Sequence, residues 1–245
     1  MLISVITPTY NRKNYLKECI NSVASSITKP LNFEWEHIVV DDGSTDGTPQ
    51  IFENSQYQEV IYVRNRVNKG GSNALNEGIK RAKGEWIFVL DDDDVIFQRT
   101  LHNFANLITS SNNKFSWFVF DFIRADENLK YLISEDYYGW IFESAEDLLS
   151  SISRGVHIIQ HNTFFKKDLA ISCGLYDEKT YYAKDIDLYI RFILSGHLPY
   201  YSSIFSHIHR FHGSNISTTG PKGSPKNKDA LKKVTSRYPE LQKYS

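Results

Sequence analysis

The stretch Gly84–Asp94 constrains this chain most: Gly-Glu-Trp-Ile-Phe-Val-Leu runs straight into four consecutive aspartates. Trp86 to Leu90 is aromatic and aliphatic, too short for a helix and unbroken by polar residues, the pattern of a strand buried on both faces. In an open α/β sheet, ligands bind beyond the carboxyl ends of the strands, so Asp91, Asp92, Asp93 and Asp94 are expected at the mouth of a site. Adjacent carboxylates repel one another unless a cation sits among them. Hard divalent ions favour oxygen ligands, and a metal that holds phosphates suits such a cluster. A solvated acidic turn is the alternative, though such turns seldom follow so apolar a strand.

The chain before this stretch repeats one theme. Leu2 to Thr7 is a short apolar strand ended by Pro8, and Tyr15, Leu16, Cys19, Ile20 and Val23 then recur at helical spacing. Trp35 to Val40 is a second strand, followed by the polar turn Asp41–Gly47 and a helix near Pro49. Glu59 to Arg64 is a third, and beyond Asn68–Gly71 the residues Ala74, Leu75, Gly78, Ile79 and Ala82 give another amphipathic helix. Alternation of this kind calls for a mostly parallel sheet with right-handed crossovers and helices on both faces. Tyr10 to Arg12, Asp41–Asp42, Arg64 to Gly71 and Asp91–Asp94 then share one crevice, as a nucleotide site would.

After Asp94 the pattern loosens. A helix around Leu101 to Ile108, a strand over Phe115 to Phe122, an irregular aromatic hairpin over Asn128 to Tyr138 and a helix over Ala145 to Ile152 are expected in turn. A strand over Thr163 to Lys166 follows, with His161 and Asn162 at its start as acceptor-contact candidates. A helix from Asp185 and a last strand over Tyr200 to Arg210 complete the series. Gly213 to Asn227, rich in Gly, Ser, Pro and Thr, reads as a mobile connector.

A formal net charge of −1 argues against nucleic acid as the partner. Basic residues gather near the end, however: Lys222, Lys226, Lys228, Lys232, Lys233, Arg237 and Lys243 against Asp229 and Glu240. Such a tail is either a solvated helix or a rest on an anionic membrane surface. Cys19 and Cys173 make no metal spacing, and no apolar run reaches the length of a membrane span. A cytoplasmic protein is expected, at most peripheral at the inner face of the cell membrane. No Gly-x-Gly-x-x-Gly follows the first strand and no Gly-x-x-x-x-Gly-Lys-Ser/Thr occurs, which excludes the commonest dinucleotide and P-loop sites.

Val5–Arg12, Val39–Thr48, Asn68–Gly71 and Gly84–Asp94 resemble, in order and spacing, the signature blocks of family 2 glycosyltransferases. The resemblance implies a glycosyltransferase A fold: α/β, with a Rossmann-like, mostly parallel sheet flanked by helices and a mixed α+β acceptor-binding half. Residues 1–100 would form the nucleotide-sugar half, 101–218 the acceptor and catalytic-base half, and 219–245 a basic tail. It also implies an inverting, hexosyltransferase-type enzyme that moves a sugar from a nucleotide donor, a UDP-sugar being favoured, to a glycan or lipid-linked acceptor in bacterial surface polysaccharide synthesis.

Carried over residue by residue, the resemblance gives Thr7, Pro8, Thr9, Tyr10 and Asp41 to the base, with Asp42 either a turn cap or a ligand contact. Arg64, Asn68 and Asn73 would lie near ribose or diphosphate. Asp91 and Asp92, which align with the start of an Asp-x-Asp signature, would bind the nucleotide sugar, Asp91 at ribose or metal, and Asp93, with Asp91, would ligate Mn²⁺ or Mg²⁺. Ala183-Lys184-Asp185-Ile186-Asp187-Leu188 is similar to a Glu-Asp-x-Asp-Leu motif, with Lys184 in place of Glu. Asp185 would be the general base and Asp187 the runner-up; both also suit the N-terminal turn of a helix. Gly174–Glu178 resembles a structural turn, and His209–Ser217 a His-x-x-Asn-x-Ser end in which His212 would reach metal or diphosphate. A catalytically inactive sugar-nucleotide or glycan-binding protein is a competing reading, and a sugar nucleotidyltransferase a more distant one.

Overall fold

The computed structural model describes residues 1–31, 33–53, 55–133, 142–155, 159, 161–213, 215 and 225–244. Strand β1 (Leu2–Thr9) runs parallel to β2 (Glu34–Asp41) on one side and β4 (Trp86–Val89) on the other, and β3 (Val60–Arg64) lies parallel outside β2. The crossovers are α1 (Lys13–Ala24), the single turn α2 (Thr48–Ile51) and α3 (Gly71–Arg81). Helix α1 buries Leu16, Cys19, Ile20 and Val23, the stripe its periodicity predicts. Helix α3 packs so closely on β1 that a Cβ at Gly78 would stand 2.5 Å from Ile6 Cγ2.

Beyond β4 the sheet continues without a break in the order β3-β2-β1-β4-β7-β6-β8-β5. Here β5 is Val95–Ile96, β6 Trp117–Ala125, β7 Phe164–Lys166 and β8 Tyr200–Arg210. Strand β7 is antiparallel to both β4 and β6, whereas β6 and β8 are parallel. The two-residue β5 pairs antiparallel with β8, Val95 opposite Ile208. It is too short to leave a periodic signal, yet it pins the end of the acidic run to the last strand.

The sheet separates two cores. One face carries rings: Phe88 stacks on Phe164 and Phe104 stacks on Phe164, with centroids 4.0 and 3.8 Å apart, and Trp86 and Phe118 meet Phe104 edge-on. Helix α4 (Thr100–Ser110) covers this face with Leu101, Phe104, Ala105 and Ile108. The high aromatic content is therefore core material in large part. The other face is covered by α3, α5 (Ala145–Ser153) and α7 (Lys184–Leu194), α6 (Lys167–Ser172) lying between β7 and α7.

The basic C-terminal segment packs on this second face. It forms α8 (Pro225–Thr235) and a 3₁₀ stretch Pro239–Tyr244, with Val234 and Leu241 each 1% exposed in the core. Most of the expected connector Gly213–Asn227 lies outside the described residues, as does the far part of the hairpin expected over Asn128–Tyr138. The near part of that hairpin is a tight turn, in which Asp126 Oδ1 accepts the Asn128 and Lys130 N–H groups and Ala125 bridges to Tyr131. Among the described residues no helix is long and apolar enough to cross a membrane.

Candidate active site

The parallel strands end together, Thr9 opposite Asp41 and Ile6 opposite Val89. Their loops bound a cavity of 410 Å³ lined by Pro8, Thr9, Tyr10, Asn11, Arg12, Asp42, Asn68, Gly70, Gly71, Ala74, Asp91, Asp92, Tyr181 and Lys184. Pro8, Thr9, Tyr10, Asn68, Asp91 and Asp92 were expected there from the sequence. The Tyr10 ring is 45% exposed, so one face is open to a ligand.

Other expected residues lie just behind the wall. Thr7 is fully buried, its Oγ1 2.9 Å from His37 Nε2. Asp41 is fully buried as well: Tyr62 donates its hydroxyl to Oδ2 at 2.6 Å, Ser44 its N–H to Oδ1 at 2.8 Å, and Arg64 Nε stands 3.5 Å away. Asp42 faces the cavity instead. It accepts the Lys69 and Gly70 N–H groups and the Asn65 amide, and so fixes the Asn68–Gly71 loop. Asn73 turns out of the cavity to donate to Glu178.

The four aspartates occupy four environments. Asp94 is fully buried and accepts the Arg210 N–H at 2.8 Å and the Asn162 amide at 2.6 Å, with His209 Nδ1 at 3.3 Å. Burial pushes its carboxyl up, and His209 opposes part of the shift. Asp92 accepts the Thr9 hydroxyl at 2.7 Å and Arg12 Nη1 at 3.1 Å. Burial, then the Asp93 charge, push the Asp92 carboxyl up to about 7. Asp93 Oδ2 receives Arg12, the Asn215 amide at 3.1 Å and His212 Nε2 at 3.0 Å; Tyr15 stacks on the His212 ring with centroids 4.6 Å apart. Asp91, the most open of them, stands 2.8 Å from His161 Nδ1. Burial works against its charge, but His161, then Lys184 and His209, outweigh burial and hold the Asp91 carboxyl well below the usual carboxylate range.

The cation demanded by this charge is thus present within the chain: the guanidinium of Arg12, delivered by the loop after β1. Burial disfavours that charge, yet the three carboxylates of Asp92, Asp93 and Asp91 raise the Arg12 pKa further. Oxygens remain for a metal. Asp91, Asp93 and Asp94 offer carboxylate oxygens within 4.8 Å of one another. Among the described residues neither Asp91 Oδ2 nor Asp93 Oδ1 accepts a hydrogen bond. That donor set fits a hard divalent ion.

The two acids at the start of α7 diverge, because residues two apart on a helix point about 200° apart. Asp185 is half-buried and its carboxylate accepts no hydrogen bond among the described residues. It is the neighbour in sequence of the cavity-lining Lys184; burial, then the Asp185 charge, push the Tyr189 phenol up, and the Asp91 charge acts on the same phenol. Asp187 is 3% exposed and accepts Arg191 Nη2 at 2.7 Å and the Tyr238 hydroxyl at 2.8 Å. It lines a separate cavity with Tyr176, Asp177 and Arg237. Asn162, an expected acceptor contact, is 3% exposed and ties the Asp91 N–H to the Asp94 carboxylate.

Sequence reasoning gave no role to Arg12, Asn215 or Tyr181. Arg12 had a legible signal: it is the basic residue of the first block, opposite an acidic run that needs a cation. Asn215 and Tyr181 approach the crevice only through long-range folding.

Residues 4–174 match the family model described as Glycosyl transferase family 2. An uncharacterized glycosyltransferase of Rickettsia typhi is 31% identical over 198 residues, which cover 78% of this chain and 58% of that protein. The poly(ribitol-phosphate) beta-glucosyltransferase of Bacillus spizizenii is 38% identical over 109 residues, 43% of this chain and 17% of that protein. The chain thus spans little more than half of the first relative and a small part of the second. The crystal structure of S. aureus TarS 1–349 in complex with UDP-GlcNAc shares the fold with a TM-score of 0.72 at 20% identity, over 96% of this chain and 66% of that one. The α/β sheet, the acidic run at the end of β4 and the family match over residues 4–174 lead to one conclusion: the chain belongs to glycosyl transferase family 2.

Proposed function

We infer that this chain transfers a sugar, with inversion, from a nucleotide donor to a hydroxyl of a glycan or lipid-linked oligosaccharide. A UDP-sugar is the favoured donor, in keeping with the UDP-GlcNAc complex of TarS. The observation that carries the reading is the cavity at the ends of β1 and β4, lined by the open Tyr10 ring and by Asp91, with a carboxylate oxygen of Asp93 within 4.8 Å of one of Asp91 just behind the wall. A base stacked on Tyr10 would direct its diphosphate toward the acidic run.

Asp91 and Asp93 are the residues that would hold Mn²⁺ or Mg²⁺, with His212 beside Asp93. The ion, when bound, supplies positive charge to the leaving diphosphate. Asp185 is the base: it takes the proton of the acceptor hydroxyl as that oxygen bonds to the anomeric carbon, and the bond from that carbon to the diphosphate breaks on the opposite face. Among the described residues no donor reaches its carboxylate, which leaves both oxygens available for this. Asp187, held by Arg191 and Tyr238, is assigned to structure. His161, against Asp91, orients that carboxylate.

We assign the setting to bacterial surface-polymer synthesis, a reading supported by the likeness to a poly(ribitol-phosphate) beta-glucosyltransferase. We assign the chain to the cytoplasmic side, with exposed Lys232 and Lys233 of α8 available for peripheral contact with the inner face of the membrane. The test is a thermal-shift panel of UDP, GDP, dTDP and CMP, each with Mn²⁺ and with chelator. A ligand at a hundred times its Kd adds about 2.7 kcal/mol of stability. Stabilisation by one nucleotide, larger with Mn²⁺, is expected, followed by turnover of its sugars. No stabilisation by any of them would overturn the reading in favour of a non-catalytic homologue.

A further inference from the structure

The charged groups lining the 410 Å³ cavity are all satisfied except one. Asp42 holds two backbone N–H groups, Asp91 faces His161, Asp92 accepts Thr9 and Arg12, and Arg12 is committed to Asp92 and Asp93. Lys184 alone has no ion pair and no hydrogen bond from its ammonium among the described residues. Its side chain reaches across from the first turn of α7 to the loop before α3: a Cβ built on Gly71 would stand 3.6 Å from Lys184 Cε and 3.7 Å from Nζ. The ammonium is thus held over the cavity. It lies between the loop that Asp42 braces and the run that begins at Asp91, one residue from Asp185.

An ammonium has three donors and no acceptor, and in a site partly shielded from water it favours an anion. The Asp91 charge lies within its field, but neither Asp91 nor Asp185 forms an ion pair or hydrogen bond with it among the described residues. Its position over Gly71, beside Asp185 and within the field of Asp91, sets it near the acidic run, toward which the donor-site reading directs the part of a donor beyond the nucleoside.

We propose that Lys184 is a specificity-determining residue that binds an anionic group of the donor beyond its nucleoside, either the diphosphate or a carboxylate on the transferred sugar. The inference rests on the donor-site reading above and deepens it by naming the residue that selects donor charge. Lys184 thereby offsets negative charge that Arg12, held by two aspartates, is not free to meet.

Isothermal titration of uridine, UDP, UDP-glucose and UDP-glucuronate in Mn²⁺ into wild type, Lys184→Met and Lys184→Arg tests it. Uridine should bind wild type and Lys184→Met alike, which also reports an intact fold. Loss of about tenfold or more in Lys184→Met for UDP and both sugars assigns the diphosphate. Loss confined to UDP-glucuronate assigns the sugar carboxylate. In either case Lys184→Arg should recover most of the affinity. Equal affinity of wild type and Lys184→Met for all the anionic ligands overturns the inference and leaves the donor-site reading standing. Failure of wild type to bind any of the four overturns both.

Discussion

Asp185 and Asp187 are both acids in the first turn of α7, and the fold gives them opposite surroundings: one without hydrogen-bond donors among the described residues, the other enclosed by Arg191 and Tyr238. Asp185→Asn should lower kcat at least a hundredfold with nucleotide affinity unchanged, since general-base catalysis is worth about 10²–10⁴. Asp187→Asn should instead lower the unfolding free energy by about 1–3 kcal/mol, because it weakens charged hydrogen bonds in a buried site. Kinetics and urea denaturation of the two variants separate these outcomes. His37 gives a pH signature. Burial depresses its pKa to about 3, while the unfolded chain has an ordinary imidazole near 6.5. The folded state therefore keeps His37 neutral where the unfolded state takes up a proton, so its contribution is complete above pH 6.5 and is lost as pH falls toward 3. Between pH 6 and 4, wild type should lose up to about 1.4 kcal/mol per pH unit more than His37→Gln, measured by urea denaturation at each pH.

At the scale of elements, the site depends on how closely α3 lies on the sheet. Gly78 faces Ile6 Cγ2 at a would-be Cβ distance of 2.5 Å and Val40 Cγ2 at 3.3 Å, both side chains of buried strands. Alanine would gain helix propensity of about 1 kcal/mol, yet overpacking of this kind costs about 1–3 kcal/mol. Gly78→Ala should therefore be destabilising on balance, with a lower urea midpoint and an unchanged m-value. It should also weaken nucleotide binding, because α3 carries the Gly70–Gly71 turn into the cavity wall. The helical stripes of α1, α3 and α4 were legible from periodicity because each buries a single face. Strand β5 was not, since two residues carry no period and its pairing with β8 comes from a segment more than a hundred residues away.

For the molecule as a whole, the last segment is bound into the architecture. Leu241 and Val234 are in the same core as α5 and α7, and Tyr238 and Arg237 reach Asp187. Leu241→Ala should cost about 2–5 kcal/mol, the range for a buried leucine that leaves a cavity, and the loss should appear as a lower melting temperature of the entire domain. The basic composition of this segment is plain in the sequence. Its docking is not, because the apolar residues that anchor it are few and their partners lie far along the chain.

What the sequence determined by itself is local: the order of strands and helices, the loops at the carboxyl ends of β1, β2 and β4, and the blocks that mark the family. Each rests on periodicity or short motifs, which act over a few residues. Tertiary structure decided how the conspicuous acids divide their work. Adjacent aspartates are equivalent in sequence, but the tight turn after β4, closed by the Asp94 N–H on the Asp91 carbonyl, sends them to different neighbours: Asp94 to the Arg210 N–H and Asn162, Asp92 to Thr9, Asp93 to Arg12 and His212. It also enclosed Asp41, expected in the crevice beside Asp42, and brought Lys184 to the cavity. Hydrogen bonding and burial set the state of a charged group, and both are fixed only when distant segments meet.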